Sequence, residues 1–430
     1  MRQSPKLRHL RWYIAALLFA ATVINYLDRQ VIGVVKPRIM TDLHLNQIQY
    51  GHVVQFFLVA YSVMYVVSGF LVDRWGTRRS LAAFAAWWST ANVLHVFVRS
   101  AASLRLCQLL LGIGEPGNFN AGVRIASEWF PSRERATVNG LINAGATIGA
   151  IVAIPLVSWV LLHHTWRYAF AITGLLGLLW LIPWLLLYRL PRDHGMITEA
   201  ELSYIQKGSV ALCEGEKPSV LQLLRRPDVW GLTLARFFSD PVWWFVLFWL
   251  PGYLQEQRGL TLQQLAWFGW LPYLASDIGG IIGGWISDRT ICFFGSPVRA
   301  RLWPMAVCAA AMPVSLLIPR LHSNPAMMSI LCVLTFAHMA WKTNLMTITN
   351  DIYPVECIGT VFGILMVGSG IGGFLFQGVV ARIVQNVSYN GVFTIMGFMH
   401  PSAFLCVYFF IRKHLLNRVN ARPDRISVPC

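Results

Sequence analysis

An aspartate and an arginine stand side by side in Asn25-Tyr26-Leu27-Asp28-Arg29, near the end of an apolar run from Trp12 to Val35. Ionised side chains are costly in a membrane-length segment and mark proton or ligand sites there. Neighbouring residues on a helix point about 100° apart, so the two address different partners; a mutually neutralised pair that only packs is the alternative. Glu115 is a second acid in an apolar stretch, in a glycine-rich run where helices approach closely. A carboxylate desolvated without a fixed cation is a candidate proton carrier, and the planar fork of a guanidinium suits a carboxylate ligand. Later in the chain Arg236 and Asp240 lie beside Trp243 and Trp244, and His338, Asn344 and Ser369 offer polar groups within apolar stretches. Arg236 and Asp240 are four residues apart and can also simply pair on one helix face. Lys342, also inside an apolar stretch, has no assigned role.

The elements that must carry these residues are membrane helices. Of the 430 residues 56% are apolar and 13% charged, outside the range of soluble globular proteins. The formal charge of +16 does not indicate nucleic acid, because the basic residues sit in short loops between apolar runs and not on one polar domain. The eight cysteines are scattered without a Cys-x-x-Cys pair, so neither a disulfide framework nor a zinc site is indicated. No His-Glu-x-x-His and no Gly-x-Ser-x-Gly is present, which argues against the common hydrolases. The chain reads as a transporter, not an enzyme, and no cofactor is expected.

Apolar runs of roughly 20 residues place spans near 12–35, 50–72, 80–98, 104–130, 136–161 and 167–188. Six more lie near 228–255, 265–288, 301–319, 326–352, 358–384 and 391–412. The basic head before the first run resembles a signal peptide, but the run is long enough to cross a bilayer and is read as an uncleaved first helix. The fold class is therefore an all-α membrane protein with twelve transmembrane helices. It divides into an N-terminal six-helix half (1–188), a central loop (189–227), a C-terminal half (228–412) and a tail (413–430). Alternate loops hold 23 basic residues on one side against 8 on the other, which puts both termini and the central loop in the cytoplasm.

Gly69-x-x-x-Asp73-Arg74 recurs as Gly284-x-x-x-Asp288-Arg289, 215 residues on, and Glu128-Trp129-Phe130-Pro131 recurs as Asp351-Ile352-Tyr353-Pro354, 223 residues on. Two matches near half the chain length, each closing the equivalent span, indicate duplicated pseudo-symmetric halves, an architecture of secondary transporters. The run Asp73-Arg74-Trp75-Gly76-Thr77-Arg78-Arg79 suits a cytoplasmic gate in which Asp73 faces the positive end of a helix. Its arginines bridge to acids such as Glu128 and Asp351, with Arg135 nearby. The bland reading is a positive-inside loop with a turn glycine. Gly140, Gly145 and Gly149 in the fifth span, and Gly363, Gly368, Gly370, Gly372 and Gly373 in the eleventh, permit close helix packing.

The string from Gly69 to Arg79, with its shorter copy at Asp288, resembles the signature loop of the major facilitator superfamily. Within it the chain resembles the anion:cation symporters of bacterial inner membranes, through Asn25 to Arg29, Gly112-Ile-Gly-Glu115-Pro-Gly-Asn-Phe, Glu128-Trp-Phe-Pro-Ser-Arg133-Glu-Arg135 and Trp166-Arg-Tyr-Ala-Phe. It is most similar to the hexuronate transporters, through Asp240-Pro-Val-Trp-Trp-Phe-Val-Leu-Phe-Trp-Leu-Pro251, Leu271-Pro-Tyr-Leu-Ala-Ser-Asp277 and Ala337-His338-Met-Ala-Trp341. The resemblance implies the major facilitator fold and makes Asp28 and Glu115 the proton carriers. It gives Arg29 the substrate carboxylate, with Tyr26, Tyr61, Arg236, Trp244, His338, Trp341 and Asn344 around the substrate. Where the family commonly has an arginine seven residues before the Glu115 position, this chain has Gln108, leaving Glu115 without that cation.

These readings converge on a proton-coupled importer of a sugar acid, expected to be a hexuronate, acting as a monomer by alternating access. Its partners are a small anionic substrate, protons and the lipid bilayer. A carrier of another organic anion, such as an aldonate, aldarate or aromatic acid, is the first alternative. A membrane-embedded enzyme and a non-transporting sensor are the others, and the central loop is too short for a signalling domain.

Overall fold

The computed structural model describes residues 9–207, 220–353 and 355–417. Part of the central loop, Pro354 and most of the predicted tail lie outside the described residues. Among the described residues all regular structure is helical. The first part of the chain forms α1 (Leu10–Val34), α2 (Lys36–Asp42), α3 (Gln47–Trp75), α4 (Thr77–Val93), α5 (Ala101–Gly114), α6 (Pro116–Trp129), α7 (Ser132–His163) and α8 (Trp166–Leu187). Then come α9 (Glu199–Lys207), α10 (Val220–Leu224), α11 (Pro227–Phe248), α12 (Leu250–Glu256), α13 (Leu262–Phe268), α14 (Leu271–Phe294), α15 (Pro297–Ala311), α16 (Asn324–Ile352), α17 (Val355–Asn386) and α18 (Tyr389–Asn417).

Eight of these helices are by themselves long and apolar enough to cross a bilayer: α1, α3, α7, α8, α16, α17, α18, and α15 with the 3-10 turns that extend it to Arg320. The other four predicted spans are α4, α5 with α6, α11 with α12, and α14, which fall short through length or through the polar residues they carry. Large apolar side chains such as Leu186 (70% exposed), Ile281 (73%) and Phe409 (61%) point outward, as they do where lipid replaces water as the solvent.

Three predicted single spans are broken, the eighth (265–288) between α13 and α14 at Gly269. The fourth is interrupted at Glu115, which keeps helical dihedrals, because Pro116 has no N–H to donate to the carbonyl one turn back. The seventh parts at Trp249, two residues before Pro251. Contacts group α1, α2, most of α3, α4 to α9 and α13 into one compact unit, and the first turn of α3, α10 to α12 and α14 to α18 into another.

Within each unit one long helix packs on another through glycine. A methyl at Gly149 of α7 would stand 2.4 Å from Val23 O of α1, and one at Gly145 2.9 Å from Phe19 O. In the second unit a methyl at Gly372 of α17 would stand 2.2 Å from Phe237 O of α11, and one at Gly368 2.5 Å from Thr233 O. Only glycine leaves room for backbone at such separations. Gly140 and Gly363, also expected in these contacts, face open space.

Candidate functional site

The approach of α1 to α7 fixes the rotation of α1 and thereby sends Asp28 and Arg29 in different directions. Arg29, 2% exposed, reaches the helix break: its Nε donates to Glu115 Oε2 at 2.6 Å, and Nη2 lies 2.5 Å from the same oxygen. Nη2 also donates to Asn25 Oδ1 at 3.4 Å. The guanidinium carbon stands 4.4 Å from the Tyr26 ring centre, 4.8 Å from that of Tyr61 and 5.7 Å from that of Phe57, an aromatic surround that favours a cation. The sequence expectation of a Glu115 without a cation is thus corrected: Arg29 supplies the charge, from another helix. Gln108 turns elsewhere, its Nε2 lying 3.1 Å from His95 Nε2.

Asp28, fully buried, meets α4. Asn92 Nδ2 donates to Asp28 Oδ1 at 2.6 Å and also approaches Thr173 Oγ1 at 2.7 Å. Among the described residues, Asp28 Oδ2 and Glu115 Oε1 have no hydrogen-bond partner. Buried polar atoms are rarely left so unless a ligand, water or proton completes them. Sequence reasoning missed Asn92; an asparagine in an apolar run was the available signal.

The second unit holds a similar cluster. Arg236 and Asp240 pair one turn apart on α11, with Nε to Oδ2 at 2.9 Å and Nη2 to Oδ2 at 2.8 Å, both residues buried. Arg236 Nη1 has no partner among the described residues. Trp243 lies parallel to His338, ring centres 5.8 Å apart, and Trp341 meets His400 edge-on at 5.5 Å. Trp244 stacks on Phe248. Asn344, expected as a donor to substrate, spends its amide group on Gly283 O at 3.1 Å and Ala340 O at 2.9 Å; its Oδ1 is the atom left open. Arg29, Glu115, Tyr26 and Tyr61 thus meet in the first half, and in the second His338 and Trp341 both meet His400, while Trp244 meets Phe248 and Asn344 meets Gly283.

The Major Facilitator Superfamily profile matches residues 18–377. The chain belongs to the major facilitator superfamily. It is therefore a multi-pass membrane transporter and not an enzyme. It is 31% identical over 395 residues to the hexuronate transporter of Escherichia coli K12, covering 91% of each chain. It is 34% identical to the galacturonate transporter of Dickeya chrysanthemi, over 65% of this chain and 82% of that one. A D-galactonate transporter of Escherichia coli O6:H1 is 26% identical over 88% of this chain and 90% of its own length. Among solved structures, the xylose transporter XylE of E. coli superposes with a TM-score of 0.74 at 15% identity, covering 93% of this chain and 96% of its own. A bacterial homologue of the lysosomal transporter Spinster superposes at 0.72 and 18%, covering 97% of this chain and 100% of its own. These two share the fold.

The signature loops of this facilitator are held by cations that sequence reasoning did not assign to them. Asp73 pairs with Arg124, whose Nε also lies 3.1 Å from Glu128, one turn on along α6. Glu128 accepts from Thr77 Oγ1 at 2.8 Å and from Tyr188 Oη at 3.1 Å. In the second half Arg301 of α15 pairs with Asp288, donates to Ser287 Oγ at 2.6 Å and lies 3.4 Å from Asp351. Three of the arginines expected at the gate make other contacts. Arg78 donates to Leu185 O at 2.6 Å, Arg135 donates to Phe130 O and Ser127 O, and Arg289 lies over the Trp285 ring. Arg124 and Arg301 are thus corrections to the expected gate; an arginine one turn before Glu128 was the legible signal for the first.

Two further clamps tie the first unit. Glu201 of α9 accepts from the amides of Leu10 (3.0 Å) and Arg11 (3.2 Å) and pairs with Arg11 Nη1 at 2.9 Å, while Arg11 Nε reaches Glu134 at 3.0 Å. Asp42, outside the spans, accepts from Arg167 Nη1 at 2.8 Å and Trp166 Nε1 at 3.0 Å. Those donors, Arg167 first, hold its carboxyl below the usual range.

Proposed function

We propose that this facilitator imports a hexuronate in symport with protons. The observation that carries the reading is the buried Arg29–Glu115 pair with Asp28 one residue away on α1. An entering carboxylate that takes the Arg29 fork displaces Glu115, and the released acid then favours a proton because no cation remains to hold it ionised. Asp28 is held by a neutral amide and has an open oxygen, so it takes a proton without breaking an ion pair. Tyr26 and Tyr61 stand with their rings beside the Arg29 guanidinium, where the carboxylate would bind. Arg236, Trp244, His338, Trp341 and Asn344 are the second-half residues proposed to contact substrate, with open atoms, among the described residues, at Arg236 Nη1, His338 Nε2, Trp341 Nε1 and Asn344 Oδ1.

The similarity to a hexuronate and a galacturonate transporter at 31% and 34% identity supports the substrate class. The aromatic surround of Arg29 and the open polar atoms of the second cluster fit a hydroxylated anion. The basic-residue bias of the loops supports cytoplasmic termini in a bacterial inner membrane. The proposed cycle loads Asp28 and Glu115 with protons and the anion from the periplasm, and the Asp73 and Asp288 clusters release their arginines as the cytoplasmic side opens. The transporter acts as a monomer.

The test is uptake into proteoliposomes with an imposed pH gradient, using labelled galacturonate and glucuronate beside galactarate, galactonate and an aromatic acid. Accumulation of the two hexuronates above the equilibrium level, abolished by a protonophore, is the expected result. Preference for an aldarate, aldonate or aromatic acid would move the substrate assignment. Accumulation indifferent to the pH gradient would remove the proton coupling.

A further inference from the structure

His95 is fully buried in the 3-10 turn Leu94–Phe97, where α4 ends. Its Nδ1 lies 3.0 Å from Ala91 O and 3.1 Å from Asn92 O. Both oxygens only accept, so Nδ1 carries a proton and donates to them. A side chain that reaches back in this way satisfies carbonyls that a helix end leaves without an intrahelical partner. In the neutral ring Nε2 is then a bare acceptor, and Gln108 Nε2 of α5 donates to it at 3.1 Å. Phe170 of α8 covers one face, with ring centres 4.2 Å apart and planes at 4°. The ring is thus held by the backbone of α4, by α5 and by α8.

One of the carbonyls that His95 ties down belongs to Asn92, whose side chain donates to Asp28 Oδ1 at 2.6 Å. Asn92 Nδ2 also meets Thr173 Oγ1 at 2.7 Å and Phe170 O at 3.3 Å. A carboxylate and a carbonyl only accept, so the nitrogen end of the amide has to face them. That donor stays on Oδ1 while Asp28 Oδ2, without a partner among the described residues, is left for a proton. Glu115 acts on Asp28 as a charge from the helix break, where it pairs with Arg29, and α4 and α8 face Asp28 with the Asn92 amide and the Thr173 hydroxyl.

We propose that His95, held by Gln108, is a positioning residue of the Asp28 site: it fixes the turn that ends α4 and so keeps the Asn92 amide on the Asp28 carboxylate. The inference rests on the reading of Asp28 as a proton carrier. Donors on a carboxylate set how readily it exchanges its proton, so the setting of this turn is read out at Asp28. His95 and Gln108 act through Asn92 and do not themselves carry the proton. Gln108 thereby has a task two contacts away from the acid.

The test titrates the Asp28 carboxyl by infrared difference spectroscopy in ligand-free protein, its band being identified by its loss in Asp28→Asn. Asn92→Ala is expected to move the midpoint by about one pH unit, a tenfold change in proton affinity. His95→Leu should move it in the same direction by about half a pH unit, and should add nothing in the Asn92→Ala background. His95→Asn, whose amide reaches about where Nδ1 lies, keeps a donor to the α4 carbonyls and should restore most of the wild-type midpoint. A wild-type midpoint in His95→Leu, or a shift that adds in full to that of Asn92→Ala, overturns the proposal. If His95→Leu does not fold, Gln108→Leu, which removes only the donor to Nε2, takes its place in the same cycle and is judged by the same two outcomes.

Gradient-driven accumulation of galacturonate carries the same comparison into transport. Its pH profile is expected to shift in Asn92→Ala and His95→Leu alike, whereas a lower rate on an unchanged profile would make His95 a packing residue and overturn the proposal. If wild-type protein carries none of the sugar acids, the substrate reading fails and the infrared titration decides the positioning. If Asp28 does not titrate in wild-type protein, its proton role fails and its carboxylate stretching band decides. Moved alike by Asn92→Ala and His95→Leu, that band supports the positioning; unmoved by His95→Leu, it overturns it.

Discussion

Each half of this transporter buries an arginine against a carboxylate, but the chain builds the two pairs differently. Arg29 of α1 takes its acid from the α5–α6 break, 86 residues away. Arg236 takes its acid from the next turn of its own helix. A pair shared between helices is sensitive to any displacement of α1 against α6 and yields when a ligand competes for the guanidinium. A pair on one helix travels with that helix and stays made. The first is therefore suited to switching, the second to presenting a constant charge pattern. At the signature loops both halves pair across helices: Asp73 of α3 with Arg124 of α6, which also holds Glu128 one turn on, and Arg301 of α15 with Asp288 of α14 and Asp351 of α16.

Removing the uncommitted acid of the switching half tests the comparison most severely. Asp28→Asn is expected to lower gradient-driven accumulation to the equilibrium level while leaving substrate counterflow, because Arg29 and Glu115 remain and only the proton-taking oxygen is lost. Accumulation ratio and counterflow in the same proteoliposomes measure this. A variant that still concentrates galacturonate refutes the assignment of Asp28.

The two pairs should also differ when broken. Removing one partner of a buried ion pair costs about 3–5 kcal/mol, and Asp240→Ala is expected to show that full loss in detergent unfolding. Glu115→Ala should cost about 1–2 kcal/mol less, since the Tyr26, Tyr61 and Phe57 rings still face the Arg29 cation. Equal losses would mean that the aromatic surround contributes nothing to holding the charge.

The packing beneath the pairs is predicted to be alike in both halves. Gly149→Ala and Gly372→Ala each press a methyl into a neighbouring backbone carbonyl, at 2.4 Å and 2.2 Å before relaxation, and each should lose about 1–3 kcal/mol. Gly363→Ala, with nothing within 4 Å, serves as the control and should be within about 0.5 kcal/mol of wild type. A loss confined to one half would show that the helix contacts are not equivalent.

Much of this was legible in the chain because it depends on local composition. Apolar run lengths gave the spans, and the repeated Gly-x-x-x-Asp-Arg the two halves. Pro116 carried the break at Glu115 in plain view, yet the run around it is apolar enough to read as one helix. What composition could not supply is helix rotation. Whether Arg29 meets Glu115 or a ligand, whether Arg124 turns to Asp73, and which imidazole His338 finds all depend on which face each helix presents to its neighbours. Glycine contacts such as Gly149 against Val23 fix that face, and their partners are unreadable until the helices are packed. Asn92 and His400 were passed over for the same reason, since a single polar residue in an apolar run does not say what it will touch.

The smallest effect belongs to the clamp outside the membrane, where Asp42 of α2 holds Arg167 and Trp166 of α8. Because the folded carboxyl is held below its ordinary value, its contribution is present above the unfolded value near about 3.9. It is lost as pH falls through the lower, folded value. Asp42 is 47% exposed, so the pair is screened and belongs to the class of surface bridges contributing about 0.2–1 kcal/mol. Asp42→Asn is accordingly expected to lower unfolding stability slightly near neutral pH, and the gap from wild type should close in strong acid. A gap that persists unchanged in acid would show that Asp42 acts through its shape and neutral hydrogen bonds and not through its charge.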